Sequence, residues 1–244
     1  ISPRNTPTSP IDGFDAGALF PVIAIDKDDV RHVAWLDDGD VDGDGDQDVD
    51  VYYHIIGEEG VRIANGNCSG GTFAPSIAAD MEDLNNRVYV AYQAFGDCAD
   101  AAAQDVGGVS VRFAWHEGDA PQFTLPVTVN DEAIFVEEEV NRNGEPSIKV
   151  HAVPDRPVGE HVVIVAFQSK ASLQSSGNDY DIMLRRFDRD DAPLAQGYVV
   201  LSEPTIDEDN TTANSRYPSI ALDASGAAHV LWEQSDDSDA PDND

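Results

Sequence analysis

Apolar residues along the chain fall in short runs separated by stretches rich in Asp, Gly, Ser and Asn, and no run keeps the 3.6-residue period of a helix. One order recurs four times: a proline, an apolar or β-branched stretch, a turn, then a second run ending in an aromatic. Pro21–Asp26 leads to His32–Trp35, Pro75–Asp80 to Val88–Tyr92, Pro146–His151 to Val162–Phe167, and Pro218–Asp223 to His229–Trp232. The prolines lie 54, 71 and 72 residues apart, a spacing that suits a four-stranded unit with long loops. After each of the first three aromatics comes a polar loop, then a third run: Asp50–Ile55, Ser110–Trp115 and Asp181–Phe187. Fourth runs follow at Val61–Ala64, Phe123–Val129 and Tyr198–Leu201. Lettered A to D, each unit reads as an antiparallel meander. Strands A and B are apolar on both faces, as inner strands are, whereas C and D alternate. The Glu-rich segment Phe135–Val140 reads as linker.

The pattern predicts an all-β chain with an N-terminal arm over 1–17 and units over 18–72, 73–143, 144–215 and 216–244. Only strands A and B of the fourth unit are legible before the Asp-rich stretch Ser235–Asp244. An uncovered sheet edge invites pairing, so the expectation is that further chain or a partner completes the arrangement. The opening residues, from Ile1 to Asp15, are polar and Pro-rich and read as an arm left after processing.

The Pro-Ser-Ile-Ala-x-Asp opening of Pro75–Asp80 and Pro218–Asp223, the His-Val-x-Trp of His229–Trp232, and the third strands beginning at Asp50 and Asp181 resemble the blades of sialidase-like (BNR-type) β-propellers. Half of that family's Asp box survives in Gly66–Phe73, where Gly71-Thr72-Phe73 matches and Gly66 and Cys68 replace Ser and Asp. The resemblance implies a β-propeller of four-stranded blades, with three complete units and part of a fourth.

One segment carries specific chemistry. In Asp40–Asp48, Asp40, Asp42 and Asp44 occupy alternate positions, and Gly45 stands where a calcium loop turns sharply. Asp46 would offer its carbonyl and Asp48 its carboxylate. An EF-hand needs Glu at position twelve, but Val51 is there, and no flanking helix is legible. The segment instead resembles the calcium hairpins of FG-GAP/integrin-type propellers, placed between strands B and C. Calcium is therefore the expected cofactor, in a structural role. The terminal run Asp236–Asp244 lacks the Gly and the regular spacing.

Net charge is −33, with 47 acidic against 14 basic residues. Such a surface repels phosphates and anionic lipid, so no nucleic-acid partner is expected, and no apolar run is long enough for membrane insertion. It suits cations, a basic partner or a saline medium. Hydrophobic residues at 41% suffice for a core. Cys68 and Cys98 fit no zinc or haem signature and lie in loops, where a pair in an exported protein forms a disulfide. In a meander of alternating strands both loops emerge on one face, which permits the roughly 4.4–6.8 Å Cα separation a disulfide needs.

No nucleophile elbow, HExxH or phosphate loop is present. The histidines have no shared ligand spacing, and His32 and His229 hold the same repeat position. Arg62, Arg112, Arg185 and Arg186 fall on C and D strands, away from the centre where a sialidase-like hydrolase needs arginine. The expected function is a secreted or cell-surface, calcium-binding interaction or assembly module, with a protein partner, self-assembly or a glycan as ligand. A glycan-directed hydrolase is the alternative. The long B–C and D–A loops emerge at one end and mark the working face.

Overall fold

The computed structural model describes residues 19–37, 49–56, 61–63, 72–82, 85–95, 109–118, 122–129, 144–152, 160–169, 181–190, 192–194, 199–202 and 213–236. Among these residues the protein is all-β, and no helix is long and apolar enough to cross a membrane. Sheet 1 comprises β1 (Leu19–Ile25), β2 (Arg31–Asp37), β3 (Asp50–Ile55) and β4 (Val61–Arg62). Sheet 2 comprises β5 (Thr72–Ala79), β6 (Val88–Phe95), β7 (Val109–His116) and β8 (Val127–Thr128). Sheet 3 comprises β9 (Gly144–His151), β10 (Val162–Ser169), β11 (Asp181–Asp188) and β12 (Val199–Val200). Sheet 4 pairs β13 (Ala213–Leu222) with β14 (Ala228–Asp236). All pairings are antiparallel between sequence neighbours, the meander that the repeat predicts.

The fourth strands are shorter than the sequence suggests. Phe123–Val129 pairs with β7 only at Val127 and Thr128. Pro126 has no N–H for a ladder. Ahead of it, the Thr124 N–H is taken by the Trp115 carbonyl, and Phe123 leaves the sheet to pack on Tyr53 and His116.

Strand alternation gives each sheet two faces, and consecutive sheets pack face to face. Leu36, Val51 and Tyr53 of sheet 1 meet Ile77, Val90 and Tyr92 of sheet 2. Phe113 and Val111 of sheet 2 meet Ile148, Val165 and Phe167 of sheet 3, with the Phe113 and Phe187 rings edge to face at 4.9 Å. Ile164, Ala166 and Leu184 of sheet 3 meet Ile220 of sheet 4. The first strands also touch in order, β1 with β5, β5 with β9 and β9 with β13. They are stitched by a repeated hydrogen bond. The Ile148 N–H donates to Ser76 Oγ, and the Ile220 N–H donates to Ser147 Oγ, each at 3.1 Å. This accounts for the repeated Pro-Ser-Ile: the Ser serves the next sheet and the Ile packs on the previous one.

At the end where β1 turns into β2, polar groups close the junctions. In the first and last sheets an Asp at the end of the strand folds this turn by accepting backbone N–H groups. Asp26 Oδ1 takes those of Asp28 and Val30, and Asp223 Oδ1 takes those of Ser225 and Ala227. His32 and His229 sit six residues on and reach the same carboxylates, so their repetition is a turn clamp. Between sheets 1 and 2 the buried chain continues: His32 Nδ1 lies 2.5 Å from the Tyr53 hydroxyl, which lies 2.7 Å from His116 Nε2. Between sheets 2 and 3, His161 Nδ1 meets Asp80 at 2.5 Å, while Arg87, stacked on Trp115 within sheet 2, donates to the Arg189 carbonyl just beyond β11. Between sheets 3 and 4, the His151 ring occupies the space that a side chain on Gly226 would fill, and Gly226 has φ +81°. Only glycine fits that contact.

Burial and the neighbouring His32 push His116 down to about 4 from its ordinary value near 6.5. The unfolded chain therefore binds more protons between those values, so stability is complete above about pH 6.5 and falls as pH drops towards 4. The expected loss is about 3 kcal/mol across that window. Thermal melts of the protein and His116→Gln test this: the variant should show a flatter pH dependence, and parallel curves would contradict it.

Candidate functional site

At the opposite end, each first strand carries the same irregularity. Phe20-Pro21 stand opposite Trp35 alone, Ala74-Pro75 opposite Tyr92, Glu145-Pro146 opposite Phe167, and Tyr217-Pro218 opposite Trp232. Each is a β-bulge, two residues facing one, in which the residue before the proline takes positive φ. The angles are 50° at Phe20, 49° at Ala74, 36° at Glu145 and 56° at Tyr217. Bulges with this conformation normally carry glycine, because a Cβ there costs about 1–2 kcal/mol. Four non-glycine residues held in it mark a backbone that its surroundings over-determine. Proline suits the next place, since a bulge needs no ladder N–H there.

The four bulges line one cavity of ≈ 780 Å³. Its described walls are the four prolines, Val22, Leu36, Ala74, Phe20 and Tyr217, with Gln93 and Glu145 as the polar residues. Phe20 and Tyr217 are exposed, and no Lys, Arg or His appears among the described lining residues. Gln93 is 4% exposed, and its Nε2 has no hydrogen-bond partner among the described residues. Gln168 holds the equivalent place in β10, where its Oε1 accepts the N–H of the bulge residue Tyr217 at 3.3 Å. The volume lies in the range of small-molecule sites, and the walls are the usual mixture of apolar surface with a few polar groups.

The predicted calcium residues Asp40, Asp42, Asp44, Asp46 and Asp48, and the predicted pair Cys68 and Cys98, lie outside the described residues. Described residues reach the foot of the Asp-rich loop. Asp37 ends β2, Asp50 begins β3, and the two are cross-strand partners, each 1% exposed. The Trp35 indole donates to Asp37 Oδ2 at 3.4 Å, whereas Asp37 Oδ1 has no partner among the described residues. Directly opposed carboxylates repel, and burial sharpens the repulsion. Elsewhere, no group of three potential metal ligands occurs among the described residues.

The remaining candidates divide by their neighbours. Arg112 is buried and its Nε donates to Ser110 Oγ, and Arg185 donates to the Val129 carbonyl and lies over Phe187. His116 and His161 belong to the polar junctions at the turn end. Thr72, from the surviving half of the Asp box, ties sheet 2 to sheet 1: its N–H donates to the Val49 carbonyl, and its Oγ1 accepts the Val51 N–H. Sequence reading did not find the cavity, although its signal was present as a proline recurring at one offset from a strand aromatic. Nor did it single out Asp37 and Asp50, which flank the loop but break its alternate spacing.

No protein-family model matches the chain, and no curated protein matches it.

Replacing Ala74 by Gly relieves the positive-φ strain while adding freedom to the unfolded chain, so stability should rise by about 0.5–1 kcal/mol. Ala78→Gly, in the regular part of β5, should lower it by about 1 kcal/mol or more. Urea unfolding of both variants is the measurement. Destabilisation by Ala74→Gly as large as that by Ala78→Gly would contradict the bulge strain.

Proposed function

We propose that the protein is an arc of a β-propeller that works as a non-catalytic, calcium-binding interaction module outside the cell. The observation that carries this reading is the convergence of four equivalent first strands on one cavity, at the end where the B–C and D–A loops emerge. Radially repeated four-stranded meanders with their innermost strands about a common centre are the arrangement of a propeller.

The free faces of the first and last sheets support completion by further sheets of the same kind. Ile77, Ile148 and Ile220 are 6%, 0% and 3% exposed against the preceding sheet, but their counterpart Ile23 is 59% exposed. Ala34, Ala91 and Ala166 are fully buried against the following sheet, but their counterpart Leu231 is 76% exposed. Ser219, which matches the stitching Ser76 and Ser147, is exposed as well. On this reading, the face bearing Leu231 and Ser219 takes a face like that bearing Ile23.

If the protein is studied alone, head-to-tail association through these faces is expected. Sedimentation should show concentration-dependent oligomers that Leu231→Asp or Ile23→Asp suppresses. Association unchanged in both variants would refute this docking mode.

Calcium is proposed at Asp40, Asp42, Asp44 and Asp48 with the Asp46 carbonyl. The buried, mutually opposed Asp37 and Asp50 support it, because a cation at the loop offsets their repulsion. The ion supplies fixed positive charge that pins the loop, and the carboxylates hold it. The disulfide between Cys68 and Cys98 is proposed for the same loop-bearing end, closing a loop worth roughly 3–4 kcal/mol of chain entropy. A glycan-directed hydrolase finds less support, since glycosidic cleavage uses a carboxylate pair and the described lining brings Glu145 alone.

Calcium at a hundredfold excess over Kd should stabilise the fold by about 2.7 kcal/mol. Asp42→Ala with Asp44→Ala should abolish that increment. Asp37→Asn should raise the melting temperature in chelator and shrink the calcium response. Calorimetry and melts read these changes, and a calcium response unaltered by the double variant would exclude the loop.

A further inference from the structure

We propose that the outer edge of β14 receives an antiparallel strand from a partner protein, basic at its leading end and apolar on alternate residues. The inference rests on the interaction-module reading and gives that module a partner chemistry. Recognition here is by main-chain pairing, with side chains setting the choice of strand.

The first observation is the open ladder. β2, β6 and β10 each pair with a first strand on one side and a third strand on the other. β14 pairs with β13, and no described strand lies along its other edge. Exposed edges are usually blunted by proline, lysine or a bulge. β14 has no proline or lysine, and the bulge of sheet 4 lies on β13. Its backbone along Ala228–Glu233 is therefore regular, as strand addition requires.

The second is a ring that a third strand covers elsewhere. Trp35, Tyr92 and Phe167 are 2%, 1% and 1% exposed, but their counterpart Trp232 is 36% exposed. Large residues stand opposite the first three rings, namely Tyr52, Arg112 and Met183, and Tyr52 stacks on Trp35 at 5.9 Å. The incoming strand needs a large residue opposite Trp232, and an aromatic suits it. Register follows from the repeat: the strand enters beside Glu233 and leaves beside Ala228, as β11 runs along β10.

The third is charge. Val51, Val111 and Ile182 stand opposite Leu36, Gln93 and Gln168, and Glu233 holds that place in β14. The run that follows, Ser235–Asp244, has five aspartates and no basic residue. The third strands β3 and β11 open on Asp50 and Asp181, so a strand of that kind would enter against like charge. A leading Lys or Arg turns the repulsion into attraction, directly at Glu233 and at longer range from the acidic run. The edge therefore favours a strand unlike the chain's own.

The test is fluorescence anisotropy of labelled octapeptides titrated with the full chain in calcium-containing buffer. The probe is Lys-Lys-Tyr-Thr-Val-Thr-Val-Thr, and its companion carries Asp-Asp in place of Lys-Lys. A third peptide has proline at the fourth and fifth positions, which removes a ladder donor whichever alternate set faces β14. The lysine peptide should bind at least about tenfold more tightly than the aspartate peptide in about 0.1 M salt. That gap should close in about 1 M salt, where screening shortens to about 3 Å. The proline peptide should not bind. Glu233 is exposed, so Glu233→Lys should leave the fold intact and shrink the preference at least about threefold. On binding, hydrogen exchange should slow in β14 and stay unchanged in β2, β6 and β10. Equal binding of the lysine and aspartate peptides in low salt overturns the proposal, as does a preference that Glu233→Lys leaves untouched. Binding of the proline peptide, or protection away from β14, overturns strand addition. Concentration-dependent protection of β14 without peptide assigns the edge to a second copy and overturns the proposal too. Absence of peptide binding in a chain that takes up calcium overturns the edge assignment and leaves the module reading standing.

Discussion

The first strands can come together only because none of them needs a partner on its inner side. A strand interior with prolines at Pro21, Pro75, Pro146 and Pro218 cannot donate a full row of ladder bonds. Each bulge turns that deficit into geometry, placing two residues opposite one large aromatic and lifting the chain out of the regular pleat. Approach of neighbouring strands is then close enough for a serine hydroxyl to reach the next backbone N–H. The inter-sheet packing, the stitching and the cavity all depend on this local departure from a flat sheet.

The two ends of the strands solve different problems. At the turn end, Asp26, Asp80, Asp188 and Asp223 satisfy backbone N–H groups in tight hairpins. Buried His and Arg then join one sheet to the next. Such networks are expensive to leave half satisfied, so they hold the sheets in one relative placement. The loop end keeps apolar walls and strained backbone around empty volume, a poor arrangement for stability alone. One end orders the stack, and the other holds the bulges and the cavity.

The fold was legible in the sequence because its repeat is written in residue types with single structural meanings. Pro before Ser-Ile, and an aromatic ending the second run, reappear as bulge, stitch and buried ring. The short D strands were overestimated because Phe123 and Val127 look alike in a pattern, while only Val127 lies in the ladder. The cavity was less legible, since Phe20, Ala74, Glu145 and Tyr217 share no chemistry and are related only by backbone angle. The Asp37–Asp50 pair was hidden for another reason: register across a hairpin cannot be counted through a loop of unknown course. The proposed calcium residues rest on spacing alone, since a hard cation favours alternate oxygens, and they lie outside the described residues.

The constant proline and the variable residue before it have a consequence for redesign. Backbone at positions 20, 74, 145 and 217 is set by pairing to the neighbouring strand, so exchanging these four side chains should leave the scaffold intact. The lining therefore behaves as four interchangeable tumblers in a fixed lock. A library confined to those positions would vary the cavity lining without repacking any sheet interface, in a protein whose abundant surface charge already favours solubility.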